Sequence, residues 1–191
     1  MVYARRLGER TLTFGVSGKL WNDALVMYDR ETRSLWSHVT GSCIEGKLEG
    51  GELEFLEGSL YKFSDWATRY PKSLVLARPA GSEAASRYET YAASDRQGIF
   101  GTQAARDDLP AKALVQGVTW NGEAAAVPHD TLAVRDTVAF GLGGARFETV
   151  RDGSTIRVER IAADGMRRVE PSTAVYWFAW LNFYPRAKVA R

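Results

Sequence analysis

The chain consists of short apolar runs that alternate with turn-forming residues, and this pattern restricts its fold more than any other feature. The runs are rich in Val, Thr, Phe, Tyr and Trp, and clusters of Gly, Asp, Asn and Ser separate them. Asn121-Gly122, between the runs Leu114–Trp120 and Glu123–Val127, is the strongest hairpin signal in the chain. Such a pattern is typical of consecutive antiparallel strands. We therefore predict a mainly β fold, an antiparallel β-sandwich or distorted barrel.

Two short helices are predicted beside about ten strands. The first helix is Trp66–Tyr70, with Ser64 as its N-cap, and the second is Val175–Tyr184; a proline follows each of them. Residues 81–110 are predicted to be a long connection, with at most a helical turn near Glu83–Tyr91. The predicted strands are Tyr3–Arg6, Thr11–Val16, Leu25–Asp29, Ser34–Thr40, Leu53–Leu56, Ser73–Ala77, Leu114–Trp120, Glu123–Val127, Val134–Leu142, Ala145–Val150 and Ser154–Ile161.

An aromatic and proline motif occurs twice in the chain. Trp66, Tyr70 and Pro71 are repeated, 114 residues later, as Trp180, Tyr184 and Pro185. Because a unit used twice indicates duplication, we expect related halves at 1–80 and 111–191 within one β-rich domain spanning 1–191. Both tryptophans should then pack against the core.

Composition excludes several functional classes. The 25 Lys and Arg nearly balance the 23 Asp and Glu, so a net charge of +2 gives no reason to expect nucleic acid or a membrane surface as partner. The one cysteine, Cys43, excludes an internal disulfide, and we expect it to be a buried structural thiol. No secretory signal is recognisable at Met1, so the sequence predicts a soluble, cytoplasmic protein.

The segments Leu12–Gly18, Leu25–Thr32 and Ser34–Ser37 form a dense block that resembles domain-of-unknown-function family 3179. Further matches lie at Leu114–Ala124 and at Phe178–Trp180. The resemblance implies a β-rich fold and supplies no established reaction. The family pattern usually begins with a Cys-Pro-x-Cys box upstream of this block, whereas this sequence opens after it, so no thiol or soft-metal chemistry carries over. We expect an uncovered strand edge there, which predicts a homodimer through strand addition.

Polar side chains cluster around the predicted hairpin Leu25–Thr40, and they are the candidate binding residues. The arginine would pair with an anionic group, the tryptophan would form an apolar wall, and the others would orient a polar ligand or a divalent cation. This set consists of Asn22, Asp29, Arg30, Trp36, His38 and Thr40.

Two alternatives to a binding site remain open for this hairpin. Asp29 with Asp23 or His38 could hold a cation that activates water, which would make the protein a metal-assisted hydrolase. Asp29 could instead cap the hairpin turn by accepting hydrogen bonds from the loop backbone. The sequence therefore predicts a ligand-binding or interaction module without an assignable reaction, and leaves open whether it is an enzyme.

Overall fold

The structure is a computed structural model that describes residues 1–77, 86–98 and 106–191. It is mainly β, with strands in several antiparallel sheets, which confirms the predicted class. Its helices, in the described part, number four rather than two: α1 (Phe63–Arg69), α2 (Ser86–Ala93), α3 (His129–Val134) and α4 (Trp177–Phe183). None of these helices is long and apolar enough to cross a membrane.

The N-terminal strands form one four-stranded sheet and two ribbons. The sheet has the order β4-β5-β6-β7, while β1 pairs with β8 and β2 pairs with β3. Their bounds are β1 (Val2–Tyr3), β2 (Arg6–Leu7), β3 (Arg10–Thr11), β4 (Phe14–Trp21), β5 (Ala24–Asp29), β6 (Leu35–Ser37), β7 (Cys43–Glu45) and β8 (Phe55–Leu56). The core beneath this sheet is made by Leu12, Trp36, Cys43 and Leu53, so Cys43 is buried as expected.

The C-terminal strands form two four-stranded sheets, with the orders β15-β9-β10-β16 and β11-β12-β13-β14. Every pair in them is antiparallel except β10 with β16, which is parallel. Their bounds are β9 (Leu114–Trp120), β10 (Glu123–Pro128), β11 (Thr137–Leu142), β12 (Ala145–Asp152), β13 (Thr155–Ile161), β14 (Arg167–Glu170), β15 (Thr173–Tyr176) and β16 (Lys188–Val189).

Two-residue turns explain why the hairpins form where they do. Asn121 and Gly122 have φ values of 48° and 76°, so they form the turn with two left-handed residues that joins twisted antiparallel strands. Asn22 and Asp23, at 50° and 59°, join β4 to β5 in the same way. Asn and Asp tolerate this backbone region better than other residues with a side chain.

The predicted helix bounds need correction at three places. The N-cap of α1 is Lys62 and not Ser64, because the Ser64 hydroxyl bonds the neighbouring Asp65 carboxylate and caps no backbone N–H. Val175 belongs to β15, where it pairs with Val115, so α4 begins only at Trp177. Val134 ends α3 and does not begin a strand.

The predicted strand Ser73–Ala77 is wrong. Leu74 and Leu76 are 99% and 96% exposed, and no strand in the described part of the chain pairs with this segment. A strand needs a neighbour to satisfy its backbone groups, so β-branched and apolar residues alone do not make one. The helical turn expected near Glu83–Tyr91 corresponds to α2; Glu83 lies outside the described residues.

The repeated motif adopts one conformation in both places. We call residues 62–76 the first helix–proline unit and residues 176–190 the second. Trp180 of the second unit is buried, as expected, and packs with Trp177 and Leu181 under the β9–β10 hairpin. Trp66 of the first unit is 36% exposed, so the expectation that it packs against the core was wrong.

Candidate functional site

The predicted hairpin Leu25–Thr40 holds a buried carboxylate that its own neighbours satisfy. Asp29 ends β5 and is inaccessible to solvent, as is Trp36. The Trp36 indole Nε1–H donates to Asp29 Oδ2 at 2.9 Å. Thr32 donates to Oδ1 twice, from its backbone N–H at 2.5 Å and from its hydroxyl at 2.8 Å. These bonds confirm the alternative in which Asp29 caps the hairpin turn.

Hydrogen bonding also fixes the charge of Asp29. Burial alone would raise the pKa of this carboxyl, but the hydrogen bonds from Trp36 and Thr32 outweigh burial and hold that pKa below its ordinary value. The carboxylate is therefore ionised at neutral pH, and its bonds with Trp36 and Thr32 are charge-assisted.

The other four predicted residues make hydrogen bonds with groups other than this carboxylate. Asn22 donates to the Asn182 carbonyl at 3.3 Å, and Arg30 donates to the Tyr28 hydroxyl at 3.3 Å. His38 Nδ1 lies 2.9 Å from the Leu25 carbonyl oxygen, and Thr40 Oγ1 accepts the Ser42 N–H at 3.4 Å. Neither of the two cavities characterised in the structure is lined by any of the six. Their ligand-binding role stays a prediction.

Nothing in this geometry supports the metal-assisted hydrolase. Within residues 1–77, 86–98 and 106–191, no group of three or more His, Cys, Asp and Glu side chains could hold a metal ion. Asp23 accepts a hydrogen bond from Asn182 at 3.4 Å, and burial lowers the pKa of His38, so that ring is neutral at pH 7.

A different part of the molecule forms a cavity of about 470 Å³. It lies where the β1–β8 ribbon and the loop before α1 meet β9, β15 and the start of α3. Most of its wall is apolar. The lining residues are Met1, Val2, Phe55, Leu56, Gly58, Ser59, Leu60, Tyr61, Lys62, Leu114, Gln116, His129, Ser154, Ile156, Ser172, Thr173 and Ala174.

Three polar side chains form a hydrogen-bonded row in this wall. Gln116, on β9, is 5% exposed, and its Nε2 donates to Ser172 Oγ at 2.8 Å. Its Oε1 lies 3.3 Å from His129 Nε2. Because the amide oxygen can only accept, this contact assigns the histidine proton to Nε2. Burial lowers the pKa of His129, so the ring is neutral at pH 7.

The loop before α1 closes the rim of the cavity. The Lys62 backbone N–H donates to Ser154 Oγ at 3.2 Å, which ties this loop to the turn between β12 and β13. A hydrogen bond from Ser154 lowers the pKa of Asp65, so that carboxylate is ionised as well. The ammonium group of Lys62 is the one charged side chain in the lining described above, given that His129 is neutral.

Residues 1–170 match the family described as Protein of unknown function (DUF3179). The chain belongs to the DUF3179 family. The resemblance seen in the sequence is thereby confirmed, and the match spans the buried Asp29 network as well as Gln116 and His129 of the cavity. Comparisons with curated proteins and with solved structures found no match.

Sequence reasoning missed the cavity of this DUF3179 chain because its polar row joins the β9–β10 hairpin to Ser172, which lies far along the chain. Gln116 does interrupt the apolar run Leu114–Val118, and a polar residue at an inward position of a strand is a usable signal. Its partner His129 follows β10 and is brought to Gln116 by the β9–β10 hairpin, whereas Ser172 becomes a neighbour only once β15 pairs with β9.

Proposed function

We propose that this DUF3179 chain is a ligand-binding module that takes a small amphipathic anion into the cavity between the β1–β8 ribbon and β9. One observation carries the proposal: the buried Gln116 side chain is hydrogen-bonded to the half-buried His129 and Ser172, and this row stands in a mostly apolar wall. Small-molecule sites combine an apolar surface with a few placed polar groups in just this manner, and 470 Å³ is within their usual size.

The charges in the lining favour an anion over a cation. Lys62 supplies a positive charge at the rim, and no carboxylate is among the residues that line the described cavity. The ionised Asp65 carboxylate near Lys62 is already held by the hydroxyls of Ser64 and Ser154. The Ser172 oxygen accepts the Gln116 hydrogen bond, so its own proton can be donated to an acceptor on the ligand. An apolar body would fill the space beside Leu114 and Ile156.

Fluorescence of 1-anilinonaphthalene-8-sulfonate tests the proposal, because this probe joins an aromatic body to an anionic group. We expect saturable binding that Ala174→Trp weakens by about tenfold or more, since the indole fills the cavity. The matched control is Ala139→Trp, an exposed strand alanine on β11 that lies outside the lining. Thermal melts of both variants check their folding. Equal affinity in the two folded variants would refute the cavity as the site.

The polar row has its own test in the same assay. Gln116→Leu keeps the side-chain volume and removes both hydrogen bonds, so probe affinity should fall while the apolar wall persists. Lys62→Gln should weaken binding more at low salt than at high salt, because the attraction is electrostatic. Unchanged affinity in both variants would mean that the probe merely adheres to apolar surface.

A further inference from the structure

The two helix–proline units have the same internal geometry. Trp66 and Tyr70 stack with ring centroids 4.3 Å apart at 41°, and Trp180 and Tyr184 do so at the same distance and angle. The residues that end the helices also agree, with φ and ψ of −128° and 68° at Tyr70 and −131° and 70° at Tyr184. One structural unit is therefore present twice.

The second unit shows what this structure packs against. Trp180 lies on Gly117 of β9 so closely that a Cβ there would be 2.8 Å from the indole ring. After Pro185 the chain forms β16, which adds in parallel to β10 through the pairs Ala125–Lys188 and Ala126–Val189. The covering element is thus a β-hairpin, with a glycine beneath the tryptophan and an open edge for the following strand.

The first unit has the same surface, and no hairpin covers it within the described residues. Leu74 and Val75, which correspond to Lys188 and Val189, are 99% and 65% exposed, and Trp66 and Tyr70 are exposed beside them. No strand in the described part of the chain pairs with residues 74–76. Clustered exposed apolar side chains of this kind mark interaction surfaces.

We propose that the first helix–proline unit is the docking site for a β-hairpin of a partner protein, built like β9–β10. Its second strand would pair in parallel with residues 74–76, and its first strand would place a glycine against Trp66. The molecule's own hairpin cannot serve from a second copy, because α4 and β16 already occupy its glycine face and its β10 edge.

Charge supports the same occupant. In the second unit Lys188 forms an ion pair with Glu123, at the start of β10, at 2.5 Å. In the first unit Leu74 stands at the position of Lys188, so this ion pair is not repeated there; the cations of the first unit are instead Arg69 and Lys72, whose side chains are exposed near segment 74–76. A partner hairpin with an acidic residue beside its turn would meet complementary charge at Arg69 and Lys72.

A peptide of residues 114–128, closed by a disulfide between added terminal cysteines and labelled with a fluorophore, is the probe. Closure is needed because an isolated hairpin is barely stable in water. Fluorescence anisotropy should show saturable binding to the full chain, weakened about tenfold or more by Trp66→Ala. Val134→Ala, which trims an apolar residue that is 87% exposed on α3, is the matched control and should bind as the wild type does.

A second peptide tests whether binding depends on the proposed contact between the hairpin glycine and Trp66. Gly117→Val in the peptide places a side chain where the tryptophan must lie, so binding should be lost. Absence of saturable binding by the parent peptide would overturn the proposal, as would equal binding of the Gly117→Val peptide or of the Trp66→Ala protein. Light scattering that shows self-association abolished by Trp66→Ala would instead identify a second copy as the occupant, and would also overturn it.

Discussion

The indole N–H groups of the two repeated tryptophans differ in their hydrogen bonding. Trp66 Nε1–H donates to Ser73 Oγ at 2.9 Å, whereas the residue equivalent to Ser73 in the second unit is Ala187, and within the described residues the buried Trp180 Nε1 has no acceptor. Because the two units superpose in their ring geometry and turns, Ala187→Ser should place a hydroxyl within reach of Trp180. We expect a gain of about 1 kcal/mol in the free energy of unfolding, measured by urea denaturation. Ser73→Ala, where water can replace the hydroxyl, should change stability little. A loss of stability in Ala187→Ser would contradict the equivalence of the units.

Asp29 should make the stability of the fold depend on pH. Its pKa in the folded chain lies below its ordinary value, so the ionised form stabilises the fold fully above about pH 3.9, and this contribution disappears as the pH falls toward the folded pKa. We expect the free energy of unfolding to drop more between pH 7 and pH 3 in the wild type than in Asp29→Asn, which cannot titrate. Equal drops in the two proteins would show that the hydrogen bonds from Trp36 and Thr32 do not favour the charged form.

At the scale of elements, residues close in sequence predicted the hairpins, whereas pairing between distant segments decided which other residues form strands and which side chains meet. The turn Asn121-Gly122 and the hairpin whose first strand ends at Asp29 follow from residues close in sequence, and both were predicted. The segment Ser73–Ala77 has strand-like residues, but no described strand pairs with it, so its sequence was misleading. The cavity row joins Gln116 to Ser172 across a pairing that no local pattern reveals. The capping role of Asp29 was foreseeable, since Asp commonly bonds the backbone of its own turn.

Helix α4 can pack closely on β9 because Gly117 has no side chain. A Cβ there would lie 2.8 Å from the Trp180 ring, which is buried and cannot move away freely. Gly117→Ala should therefore cost about 1–3 kcal/mol in the free energy of unfolding, the usual penalty for overpacking. Gly141 in β11 is the matched control, since the nearest atom to its Cβ position is 4.0 Å away. Gly141→Ala should leave the melting temperature unchanged or raise it slightly. Equal losses in the two variants would show that strand backbone, and not Trp180, sets the cost.

Across the whole molecule, side chains far apart in the sequence hold the N-terminal and C-terminal strands together. Asn22 and Asn182 donate to each other's backbone carbonyls at 3.3 and 3.2 Å, and Trp21 packs edge-on against Phe183 at 5.4 Å. The turn that joins β4 to β5 is thus anchored on α4. The cavity, which both parts line, is therefore formed only when these two parts are in contact.

The homodimer predicted from the sequence can be tested at strand β4. Strand β4 lies at the edge of its sheet and pairs only with β5 among the described strands, and Val16 on it is 67% exposed. The ladder is irregular between Val16 and Leu20, which leaves a short regular stretch for strand addition and favours weak association.

Light scattering should accordingly give a mass that rises with concentration from the 21.2 kDa monomer toward twice that value. Val16→Lys should hold the protein at the monomer mass, because a charge on an edge strand opposes pairing, whereas Val134→Lys on α3 should not. Trp66→Ala should leave this equilibrium unchanged, since the β4 edge and the first helix–proline unit are separate surfaces. A monomer mass in the wild type at every concentration would exclude the dimer.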